Sequence, residues 1–131
     1  MAFTEPEFEL TDAPLDEGIH LIVVAGELHV STAPEFARGL DAALTRGATN
    51  VVLDLDAVEF IDSTGLSVLL NGLRRVTRRQ GRMALVVSNP TVLRLFEVTR
   101  LDSTFDIHPT REESHGRVQS SETADDGLQQ L

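Results

Sequence analysis

Three apolar runs of strand length lack the alternation that a half-solvated strand would show: Ile19-His20-Leu21-Ile22-Val23-Val24-Ala25, Asn50-Val51-Val52-Leu53-Asp54-Leu55 and Met83-Ala84-Leu85-Val86-Val87. Strands buried on both faces read this way, and they belong to parallel sheets whose faces are covered by crossover helices. The segments between the runs supply those helices. Thr32-Ala33-Pro34-Glu35 opens one, with Thr32 and Glu35 spaced as a capping box and Pro34 in the first turn; Phe36, Leu40 and Leu44 follow at helical spacing up to Gly47. Leu66, Leu69, Leu70, Leu73 and Val76 mark one stripe of a second helix ending before Gly81. Asn89-Pro90 is a cap and first-turn pair leading into Val92, Leu93 and Phe96.

The predicted fold is therefore α/β: a mixed, mostly parallel sheet of four to five strands with helices packed against it. The N-terminal segment around Phe8 to Leu10, next to Pro6, is expected as a modest antiparallel edge strand, and Thr104 to His108 as a short last strand. The expected domain spans residues 1–111. From Glu112 to Leu131 the apolar side chains thin to Val118, Ala124, Leu128 and Leu131, which predicts a polar, flexible tail or at best a weakly docked helix.

Charge narrows the choice of partner. The chain of 131 residues carries a formal net charge of -10, and all 11 of its basic residues are Arg. Residues 1–62 hold 13 acids against 2 Arg, whereas residues 63–100 hold 7 Arg against 1 acid. An acidic body repels phosphate backbones and anionic lipid, so neither nucleic acid nor a membrane is expected as partner. The acidic start lacks the basic and apolar regions of a signal peptide, which predicts a cytoplasmic protein. Arg74, Arg75, Arg78 and Arg79 fall opposite the apolar stripe of the second helix and are expected as a solvated face favouring its dipole.

Enzyme chemistry finds few candidates. There is no Cys, and His20, His29, His108 and His115 lie in different segments without metal-ligand spacing, so no metal and no cofactor are expected. Asp54-Leu55-Asp56-Ala57-Val58 matches the D-x-D-x-[TV] pattern of haloacid-dehalogenase-type phosphatases. It stands on an interior strand of a chain without Lys, and Asp54 and Asp56 read more simply as acids at a strand end.

Asp62-Ser63-Thr64-Gly65, taken alone, is an ordinary helix start with a capping side chain and small residues in the first turn. Its surroundings add more. Gly26-Glu27-Leu28 with Thr32-Ala33-Pro34, then Asn50 to Leu55, Val58 to Leu66, Pro90 to Phe96, Leu101-Asp102 and Pro109-Thr110 form an ordered series over roughly Phe8 to Thr110. That series resembles a STAS domain, specifically the stand-alone bacterial anti-sigma-factor antagonists.

The resemblance implies a non-enzymatic switch. In that family the Ser after the signature Asp is phosphorylated by an anti-sigma factor that is itself a serine/threonine kinase, and a PP2C-type phosphatase removes the phosphate. By position the acceptor is Ser63, with Thr64 as the lesser candidate. Asp62, Thr64, Gly65, Leu66, His29, Ser31 and Asn89 are the expected partner contacts. Two positions depart from the family pattern: His29 stands where Asp is frequent, and Arg100 where Gly is common. An interaction module of a sensory or transport assembly, without a phosphorylation cycle, is the alternative within the same family.

Overall fold

The computed structural model describes residues 7–16, 18–46 and 49–118. Five strands, β1 (Phe8–Asp16), β2 (Ile19–Leu28), β3 (Asn50–Ile61), β4 (Met83–Val86) and β5 (Asp106–His108), form one sheet in the order β1-β2-β3-β4-β5. β1 is antiparallel to β2, and all later pairings are parallel. The three non-alternating runs are thus the interior strands. β1 is longer than expected: it pairs with β2 through Pro14, and the register shifts between Pro14 and Asp16. An edge strand tolerates this because the missing N–H of proline need not face a partner.

Helices α1 (Ala33–Thr45), α2 (Ser63–Arg78) and α3 (Pro90–Val98) are the crossovers. Phe36, Leu40 and Leu44 of α1, Leu66, Leu69 and Val76 of α2, and Val92 and Phe96 of α3 share one buried cluster with Ile22, Val24, Leu53, Leu55 and Leu85 of the sheet. Three helices therefore cover one face. A 3-10 turn (Leu101–Ser103) leads from α3 to β5. Arg100 before it has φ 62°, the left-handed region where glycine is the residue without penalty.

The opposite face carries a fourth helix, α4, described over 111–118. Val118 is buried with Ile19, Val52, Ala84 and Val86, and the buried hydroxyl of Ser114 donates to the Leu85 carbonyl at 3.2 Å. At its start the Arg111 Nε donates to the Asp54 carboxylate at 2.5 Å. The polar tail expected from residue 112 thus begins, over these residues, as a docked helix. Its few apolar groups suffice because the sheet offers them a second apolar face. The remainder of that expectation, residues 119–131, lies outside the described residues.

Two local expectations are also corrected. Thr32 precedes α1 but its side chain makes no capping bond, so the Thr32/Glu35 capping box does not form. The Thr32 hydroxyl donates instead to the Glu27 carbonyl at 2.6 Å and accepts the His29 N–H at 3.0 Å. The Arg face of α2 is not simply solvated. Arg75 pairs with Asp41, and Arg79 donates to the Leu44 carbonyl at 2.8 Å, so both tie α2 to α1. Among the described residues no helix is long and apolar enough to cross a membrane.

Candidate functional site

In a parallel sheet whose crossovers are helices, every helix starts at the edge where the strands end. Here β2 ends at Leu28, β3 at Ile61, β4 at Val86 and β5 at His108, so α1, α2, α3 and α4 all begin at that edge. The Asp62–Gly65 turn sits at its centre. Strand register brings it beside the β2–α1 loop: Leu28 pairs with Ile61, and the Asp62 N–H donates to the Leu28 carbonyl at 3.0 Å.

Asp62 is the N-cap of α2. Its backbone is extended, and one carboxylate oxygen accepts the N–H groups of Thr64 at 2.9 Å and Gly65 at 3.1 Å. A carboxylate there satisfies two donors that the helix leaves open and complements the positive end of its dipole. Ser63 is therefore the first residue of a 16-residue helix, with its side chain exposed and not used in the cap. Thr64 is half-buried, and Gly65 is buried against β2. Leu66, expected among the partner contacts, lies in the core, 5% exposed. Its place one residue past the glycine turns its side chain inward, where it seats the helix.

The β2–α1 loop is held by its own hydrogen bonds. The His29 carbonyl accepts the N–H groups of Thr32 at 3.0 Å and Ala33 at 2.8 Å, and the His29 Nδ1 accepts the Ser31 N–H at 3.2 Å. The His29 Nε2 lies 3.5 Å from the Glu27 carboxylate, and its ring lies 6.2 Å from that of Phe60. Ser31 is exposed. Across the turn Asn89 caps α3, accepting the Thr91 N–H at 2.9 Å, while its side-chain amide donates to the Val58 carbonyl at 3.4 Å. Sequence reasoning did not single out Phe60 or Val30, which flank His29 and are both exposed.

Asp54 and Asp56 stand elsewhere and are engaged in structure. Asp54 is buried; one oxygen accepts the Asp56 N–H at 2.9 Å and the other the Arg111 guanidinium. Asp56 accepts the N–H of Ser88 at 2.9 Å and its hydroxyl at 2.8 Å, linking β3 to the loop after β4. These bonds make the D-x-D pair a tie between the sheet, α4 and that loop. Among the described residues no cluster of three or more His, Asp or Glu side chains is placed to hold a metal ion.

Glu27, Glu35, Glu59 and Asp62 lie at the edge where the helices start. Arg74, Arg75, Arg78 and Arg79 lie in the last turns of α2, at the other end of a helix of about 24 Å.

The STAS domain model matches residues 11–114. The anti-sigma-B factor antagonist of Listeria monocytogenes is 32% identical over 95 residues, covering 72% of this chain and 83% of the relative. The anti-sigma F factor antagonist of Paenibacillus polymyxa is 32% identical over 85 residues, covering 64% of this chain and 73% of the relative. Among solved structures, an anti-sigma factor antagonist from Mycobacterium paratuberculosis superposes with a TM-score of 0.79 at 27% identity, covering 89% of this chain and 99% of that one. With one antiparallel edge, three crossover helices on one face and the Asp62–Gly65 turn at the strand ends, the chain belongs to the STAS domain family.

Proposed function

We propose that this protein is an anti-sigma factor antagonist switched by phosphorylation of Ser63. The unmodified form binds an anti-sigma factor that is also a serine kinase and so releases a sigma factor. Phosphate on Ser63 ends that binding, and a PP2C-type phosphatase restores it. The names of the Listeria and Paenibacillus relatives support the antagonist role.

The observation that carries the switch is the division of labour at the α2 start. Asp62 does the capping, and the neighbouring Ser63 hydroxyl is exposed. A phosphate there adds about -1.5 to -2 charge. The helix dipole tolerates an anion at this end, by about 0.3–1 kcal/mol, but the Asp62 carboxylate already occupies two of the N–H groups. The fold is therefore left nearly unchanged. At a desolvated interface the same dianion beside Asp62 faces the nucleotide phosphates of a kinase, and like charges brought together there cost several kcal/mol. The chain needs no catalytic residue of its own, because the kinase supplies nucleotide and metal.

Incubation with the kinase and ATP, followed by mass spectrometry, tests the acceptor. One phosphate on Ser63 in the wild type and none on Ser63→Ala is expected. Efficient labelling of the Ala variant contradicts the assignment and points to Thr64.

A further inference from the structure

Among the described residues four large apolar side chains are exposed: Leu15, Val30, Phe60 and Val98, of which Val30 is 69% and Phe60 48% accessible. Val30 and Phe60 both neighbour His29, one in sequence and one in space, at the edge that carries Ser63. Val30 follows His29, and the Phe60 ring lies 6.2 Å from the His29 ring. Phe60 is in register with Glu27, and the β2–β3 ladder is irregular at Val23/Ala25 and again at Gly26/Glu27. Bulges re-aim side chains, and after these the Glu59-Phe60 pair of β3 faces outward.

The exposure of Val30 does not arise from a slack loop. Thr32 Oγ1 to the Glu27 carbonyl, His29 N–H to Thr32 Oγ1, Thr32 and Ala33 N–H to the His29 carbonyl, and Ser31 N–H to His29 Nδ1 fix the backbone on both sides of it. The His29 carbonyl and ring both work as acceptors in this network, so the His braces the loop that presents Val30. An apolar group held out in a set conformation loses little entropy on docking, and an aromatic beside an aliphatic is the composition of an interface anchor. Glu27, in register with Phe60, together with Glu59 beside it in sequence and Asp62 two residues on, gives this edge negative charge. The surface therefore fits an apolar patch with a basic rim.

We propose that Val30 and Phe60 are the apolar anchor through which this edge docks on the anti-sigma factor. The inference rests on the anti-sigma factor reading of the site and adds the residues that set affinity beside the phosphorylated one. The anchor is independent of the Ser63 hydroxyl: it supplies attraction in the unmodified complex, and the phosphate overrides it by charge.

Isothermal titration against each anti-sigma serine kinase encoded in the same genome provides the test, on the full chain as wild type, Val30→Ser with Phe60→Ser, the two Ser variants singly, Phe60→Leu, Val98→Ser and Ser63→Asp. Val98, 66% accessible at the far end of α3, controls for loss of apolar surface as such. We expect the double variant to bind at least about tenfold more weakly with an unchanged melting curve, Val98→Ser to stay within about twofold, and Phe60→Leu to retain binding. Val30→Ser and Phe60→Ser measured singly give the same direction should the pair perturb folding. Near wild-type affinity of the double variant, with Ser63→Asp losing binding, overturns the anchor and leaves the switch standing. Weak binding by the double variant with Ser63→Asp unaffected supports the anchor and removes the switch. Absence of wild-type binding to every kinase overturns both.

Discussion

Gly65 meets Leu28 backbone to backbone: a Cβ on Gly65 would lie 2.7 Å from the Leu28 carbonyl oxygen and 2.9 Å from the Leu28 Cβ. The Ile61 side chain closes the third side at 2.9 Å. This contact draws the first turn of α2 onto the end of β2, next to the carbonyl that accepts the Asp62 N–H. Gly65→Ala must push one of two fixed backbones away. A loss of about 1–3 kcal/mol is expected in urea denaturation, with weaker kinase binding than the stability loss alone accounts for. Unchanged stability would show that the turn is looser than this contact implies.

Arg100 offers the reverse case. Its φ of 62° places a side chain where the left-handed backbone disfavours one. Arg100→Gly is expected to stabilise the domain by about 1 kcal/mol, read as a higher urea midpoint at constant slope. A lower midpoint would mean that the arginine side chain makes contacts worth more than the strain.

The reach of the sequence can be judged on particular residues. The runs that became β2, β3 and β4, and the caps at Asp62 and Asn89, were legible because burial on both faces and helix capping leave local signatures. The extension of β3 to Ile61 was not, since Asp56, Ala57, Glu59 and Phe60 are exposed and read as loop. Thr32 has the composition of a cap, but the carbonyl of Glu27, five residues back, captures its hydroxyl. The docking of α4 depends on the second apolar face of the sheet, which no window of sequence contains. The ties of Arg75 and Arg79 to α1 span more than 30 residues in the same way.

The ion pairs of α4 differ in what they leave behind. Arg111→Ala leaves the buried carboxylate of Asp54 without its guanidinium, whereas Arg117→Ala leaves Asp106 partly in water and still paired with His108 at 2.8 Å. We expect Arg111→Ala to lower stability by a few kcal/mol and Arg117→Ala by less than about 1 kcal/mol. Truncation from Gly116 removes the buried Val118 and should cost about 1.5–3 kcal/mol. Thermal melts rank the three; equal effects from the two Arg variants would show that Asp54 is hydrated.

Asp12 gives the domain an acid limit. Burial raises its pKa, but hydrogen bonds and charge from Arg46 and His20 outweigh that and hold the carboxyl below its ordinary value of 3.8. The Arg46 guanidinium lies 2.6 Å away and His20 Nε2 3.1 Å. A group whose folded pKa is depressed contributes stability above its unfolded value and loses it as the pH falls through the folded one. Asp12→Asn should therefore be less stable than wild type at about pH 5–7, with the gap closing below 3.8. A gap that stays constant through acid would assign the effect to packing.

Binding of the kinase by two preparations of the same chain, one unmodified and one phosphorylated on Ser63, decides most directly whether the turn at the strand ends is a switch. The unmodified protein should bind, and the phosphorylated protein should bind at least about a hundredfold more weakly, with the same circular dichroism spectrum and melting temperature. Equal affinity of the two forms, or loss of binding accompanied by unfolding, would contradict it.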